Sequence, residues 1–64
     1  MNEYFVVLSI KFYQTLPETQ RFFVNADSGK EAYEKLYKQI VEQYKHPLAV
    51  KELTDVELLD IRRL

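Results

Sequence analysis

Between Tyr4 and Tyr13 the chain alternates with period two. Tyr4, Val6, Leu8, Ile10 and Phe12 are all apolar, while the interleaved Phe5, Val7, Ser9, Lys11 and Tyr13 are mixed. The segment is rich in β-branched and aromatic side chains, which suit a pleated surface better than a helix. It predicts a strand over residues 4–13 with the first set facing the core. A strand this apolar belongs in the centre of its sheet.

The stretch from Gln14 to Gln20 breaks the alternation, and Pro17 fixes its own φ and removes a donor, so a turn or extended loop is expected there. Arg21-Phe22-Phe23-Val24-Asn25 then reads as a second, shorter strand, paired antiparallel with the first across a hairpin-length connection.

At Ser28 the period changes. Ser28 with Glu31 three residues on forms a capping box, in which each side chain satisfies an amide left free at a helix start. A helix is predicted over 29–44, with Ala32, Tyr33, Leu36, Tyr37, Ile40, Val41 and Tyr44 at helical spacing. Lys45 suits the negative end of its dipole. His46-Pro47 ends it, because a residue before proline avoids the α region.

The last ten residues admit two readings. Thr54-Asp55-Val56-Glu57 fits another capping box, which would start a short helix. A strand over 55–62 is preferred, since two strands and one helix scarcely make a fold. Returning through the helix, this strand lies beside the first and gives sheet order 2-1-3. The expected architecture is therefore α+β: a small ββαβ domain, a three-stranded sheet with one helix packed on one face.

Sixty-four residues hold one domain, and such a chain buries only about 60% of the surface its unfolded form exposes. A domain of this size usually needs disulfides, a metal or a partner chain. There is no cysteine, and the single histidine, His46, is too little for a metal site without carboxylate help. That leaves dense packing of large side chains, five tyrosines and four phenylalanines among them, or association. Ten acidic residues against nine basic give a net charge of −1, which disfavours non-specific binding to nucleic acid or acidic membranes. Met1-Asn2-Glu3 lacks the basic start of a signal peptide, and no apolar run is long enough to span a bilayer. A cytoplasmic protein is expected.

Catalysis needs titratable groups converging in a pocket. His46, beside a helix-ending proline, reads as a solvated or capping side chain. Asp55, Glu57 and Asp60 match no metal-loop spacing. No enzyme and no cofactor are expected, and function is sought in contact surfaces.

Two surfaces stand out. One helix covers only one face of a three-stranded sheet, so the other face carries Phe5, Val7, Ser9, Lys11 and Tyr13, with Arg21, Phe23 and Asn25 from the second strand. The third strand adds Leu59 with Glu57 or Ile61. An antiparallel sheet with a wet face should place polar residues there. Phe5, Val7, Phe23 and Leu59 do not comply, and exposed apolar patches on small proteins mark contact sites.

The face fits a protein partner or a second copy of the chain. The aromatics with Lys11 and Arg21 also permit single-stranded nucleic acid, as the weaker alternative. A third reading has loop residues such as Leu16 and Leu48 filling the face. The secondary surface is Tyr37, Val41 and Tyr44, which widen the apolar arc of the helix to about half its circumference. Their rings either flank the core with hydroxyls in water or meet another chain. On the opposite side, Glu31–Lys35 and Glu34–Lys38 stand at stabilising spacing.

The strand–strand–helix opening, entered through Ala26-Asp27-Ser28, resembles in layout the short stand-alone reading frames of phages and mobile elements. The resemblance implies an accessory protein that binds and modulates another protein, and it assigns a role to no residue.

Overall fold

In the computed structural model, which describes residues 1–45 and 47–64, the order of elements is β1 (Asn2–Phe12), β2 (Glu18–Ala26), α1 (Gly29–Tyr44) and β3 (Leu53–Arg63). The three strands form one sheet in the order β2-β1-β3, with both pairings antiparallel. The outer strands therefore run parallel to each other with β1 between them, and α1 packs on the sheet as their connection.

β1 is central because its inward positions can be buried along their whole length. Val6 and Leu8 are fully inaccessible, Ile10 nearly so, and Tyr4 and Phe12 are buried with them. From the helix come Ala32, Leu36 and Ile40, and from the end of β2 comes Ala26. No polar side chain is buried among the described residues. Phe22, Val24, Tyr33, Tyr44, Leu53, Val56 and Ile61 close the rim of this core. Tyr44 meets Phe12 edge-on, with ring centroids 4.8 Å apart.

The helix begins as its capping box requires. The Glu31 amide donates to Ser28 Oγ at 3.2 Å, while the Glu31 carboxylate accepts from the Asp27 amide at 3.3 Å. Glu31 also pairs with Lys35 at 3.3 Å. The Lys45 amide donates to the Val41 carbonyl at the other end. His46 lies outside the described residues.

The boundaries differ from the sequence expectation at both ends of the first hairpin. β1 ends at Phe12, and Tyr13 lies beyond it with its amide turned to the Glu52 carbonyl at 2.8 Å. The turn is closed by Thr15, whose amide and hydroxyl both donate to the Phe12 carbonyl. β2 starts earlier than its apolar residues suggest, because Glu18, Thr19 and Gln20 pair with Ile10, Ser9 and Leu8 through the backbone.

Residues 53–63 form a strand, so the alternative C-terminal helix does not form. Thr54 caps nothing; its hydroxyl donates to the Lys11 carbonyl across the sheet at 2.9 Å. The β1–β2 register runs unbroken from Asn2↔Ala26 to Ile10↔Glu18. The β1–β3 register slips twice, between Val7 and Leu8 and between Lys11 and Phe12. The extra residues at these bulges are Leu59 and Thr54.

The molecule is a plate of 35 × 22 × 14 Å with a radius of gyration of 12.3 Å. A compact chain of this length is expected near roughly 10.7 Å. The plate is thin because only one layer of helix lies on only one side of the sheet.

Candidate functional site

The sheet face away from α1 is assembled row by row by the strand registers, since residues directly opposite on antiparallel strands share a face. Phe5 stands between Phe23 and Arg62, Val7 between Arg21 and Asp60, and Ser9 between Thr19 and Glu57. Lys11 faces Asp55. The apolar centre is the Phe5–Phe23 pair, with ring centroids 5.4 Å apart and planes tilted by 48°. Phe23 is 68% exposed, whereas Phe5 and Val7 are half-covered by their neighbours. Phe5, Val7, Phe23, Lys11 and Arg21 thus stand together, as the alternation of the first two strands implies.

Three expected members of the face are placed differently. Tyr13 is exposed but belongs to the turn after β1. Leu59, half-exposed, is the extra residue of a bulge and has no direct partner on β1. Ile61 turns the other way: it is opposite Val6 and packs against the core, where its Cδ1 lies beside Gly29.

The bulge at Leu59 explains both strand-three departures. Strict alternation from Val56 sends Glu57, Leu59 and Ile61 outward together. One extra residue shifts the phase, so Glu57 stays outward, Ile61 returns to the core, and Asp60 and Arg62 point outward in its place. The signal was present as an apolar Ile61 between two polar neighbours, out of phase with Val56 and Leu58.

The shift adds an ion pair to the face: Asp60 accepts from Arg62 Nε at 2.9 Å, on the β3 flank with Asp55 and Glu57, which alternation alone already turns outward. The other flank, on β2, carries Arg21. Leu16 and Leu48 are 87% and 83% exposed, so neither loop residue fills the face.

On the helix side, α1 is narrower than the sheet and leaves a groove along each outer strand. A groove of about 660 Å³ runs over β2, between Phe22 and Val24 below and Lys35, Lys38, Gln39 and Glu42 beside it. A smaller one, about 320 Å³, lies over β3 and contains the secondary surface. There Tyr37, Val41 and Tyr44 line one wall, and Leu53 and Val56 the other. Tyr44 belongs to the core rim and Val41 is partly buried, while Tyr37 is 45% exposed against Tyr33. The helical tyrosines thus mostly flank the core.

Among the described residues no cluster of three His, Cys, Asp or Glu side chains is arranged to hold a metal ion, and no helix is long and apolar enough to cross a membrane. Compared with protein-family models, curated proteins and solved structures, the chain matches none of them.

Proposed function

We propose that this protein is a non-enzymatic interaction module of the cytoplasm, which docks its uncovered sheet face on another protein and modulates it. The observation that carries this reading is the Phe5–Phe23 pair, with Phe23 68% exposed on a face that no other element among the described residues covers. A ring pair of this kind is what a protein interface uses at its centre, with polar groups at the rim that exclude water. Arg21, Arg62 and Asp60 stand in the rim positions here.

Nucleic acid is the poorer fit. Single-strand binders combine stacking rings with a positive groove that follows the phosphates. Here there is no such groove: Lys11 stands opposite Asp55, Arg62 beside the rings is paired with Asp60, and Arg21 is balanced by Glu57. A phosphate backbone finds no continuous positive path across the face.

Phe5→Asp tests the reading, since it places a charge in the patch without touching the core. The variant is expected to keep its far-UV spectrum and to lose a protein that the wild-type chain retains from an extract of its host. Identical retention by both chains would remove the face from consideration. Labelled single-stranded DNA or RNA, titrated at low salt where electrostatic affinity is greatest, is expected to show no binding.

A further inference from the structure

We infer that β2 is the edge at which two copies of this chain join, antiparallel, with the two-fold axis at Phe22. The inference does not depend on what docks on the uncovered face.

A sheet of three strands has two edges, each a row of amides and carbonyls without a neighbouring strand, although on β2 the Asn25 carbonyl accepts from Lys35 Nζ of the helix at 3.0 Å. The two edges here are defended very differently. β3 is interrupted by bulges at Thr54 and Leu59, and it carries Asp55, Glu57, Asp60, Arg62 and Arg63. Bulges and charges are the usual devices that stop an edge from pairing. β2 has none of the former. It runs nine residues in unbroken register, has no proline, and holds Arg21 as its one charge inside the terminal Glu18. An edge of this length and regularity is kept either covered or paired.

The sequence of β2 suits pairing with itself. For both helices to lie on the same side of a continuous sheet, opposing residues must have the same parity. An axis at Phe22, the midpoint of Glu18–Ala26, uses all nine residues. It sets Phe22 against its copy on the helix side, where the groove over β2 leaves it partly exposed. On the other side it sets Arg21 against Phe23 of the second chain, twice, as cation–π pairs. It also sets Thr19 against Asn25. Moving the axis to Arg21 would oppose like charges. Moving it to Phe23 would leave two residues of each strand unpaired.

The chain exposes 4850 Å², whereas a folded monomer of 7.7 kDa is expected to expose roughly 4,300 Å². The excess, about 500 Å² per chain, belongs to the thin plate as a whole, its bare face and its edges together. A net charge of −1 offers little repulsion between copies. The product would be a six-stranded sheet with two helices on one side. Its other side would carry two Phe5–Phe23 patches flanking the axis, so that a partner meets a doubled face.

Two measurements test the arrangement on the full chain. Sedimentation across a wide concentration range is expected to give twice the 7.7 kDa chain mass at the upper end. The absence of cysteine makes the second test specific for register. Thr19 and Asn25 are both exposed, and they oppose each other only across the proposed axis. A mixture of Thr19→Cys chains and Asn25→Cys chains should be joined by a short thiol-to-thiol cross-linker, since opposing Cβ atoms lie about 5 Å apart. Either variant alone should not be, because residue 19 lies roughly 20 Å from its own copy. A monomer at every concentration would overturn the inference. So would a mixture that cross-links no faster than its separate components. Phe5→Asp is expected to leave the cross-link intact, which separates failure of the edge from failure of the face.

Discussion

The two faces of β1 are the same strand under the same backbone constraints, yet they live in different surroundings. On the helix side Tyr4, Val6, Leu8, Ile10 and Phe12 are all buried. One residue along, Phe5, Val7 and Ser9 are only half-covered, and Lys11 is exposed. The neighbouring strands are shared, so the difference comes from the third dimension: α1 lies over one face, and nothing among the described residues lies over the other. Phe5 and Val7 are as apolar as their buried neighbours, and apolarity here follows what a residue can meet more closely than what it does meet in the isolated chain. That asymmetry separates what folds the protein from what it offers to a partner.

The largest effect should come from removing the support of both faces together. Deleting residues 55–64 takes away most of β3, including Val56 and Ile61 at the core rim and the partners of β1 from Tyr4 to Lys11. The hairpin and helix that remain bury too little apolar surface for so short a chain to stay folded. The truncated chain is expected to lose its helical and sheet signals in far-UV circular dichroism and its amide dispersion in NMR. A folded truncated chain would mean that β1 and α1 suffice alone, and the comparison between faces would lose its frame.

Leu8→Ala comes next. Leu8 is fully buried beneath the helix, and truncation at such a site costs about 2–5 kcal/mol. A core this small rarely supplies more than roughly 3–5 kcal/mol in total. The variant should therefore be largely unfolded at room temperature, as urea titration against wild type would show. A midpoint unchanged from wild type would contradict the core assignment.

How far these faces were legible in the sequence depended on whether side chains or backbone carried the information. The alternation in β1 separates buried from uncovered positions because period two is a property of the strand itself. The start of α1 was legible because Ser28 and Glu31 act within four residues of each other. What escaped lies in pairings between distant segments. Glu18–Gln20 look like loop, yet they form strand because Leu8–Ile10 present backbone partners to them. The bulge at Leu59 is a register event between β1 and β3, and it moved Asp60 and Arg62 onto the face while returning Ile61 to the core. The aromatic centre of the candidate site was thus readable, and so was Glu57 on its flank, whereas the Asp60–Arg62 ion pair beside the rings was not.

The smallest expected effect gives the sharpest comparison, because it uses one substitution at two adjacent residues. Valine and threonine have nearly the same shape, and both favour strands, so exchanging them changes little except polarity. At Val6, which is fully inaccessible, the new hydroxyl would be buried without a designed partner, at a cost of about 1–3 kcal/mol. At Val7, half-covered between Arg21 and Asp60, the hydroxyl keeps access to water, and the change should stay within about 0.5 kcal/mol. Thermal unfolding of both variants measures the difference directly. Partner capture should reverse the order among folded molecules, with Val7→Thr weakening retention and Val6→Thr leaving it intact. If Val7→Thr destabilised the chain as much as Val6→Thr, the outer face of β1 would already be buried in the free protein. The asymmetry between the faces would then belong to the single chain alone and not to its working form.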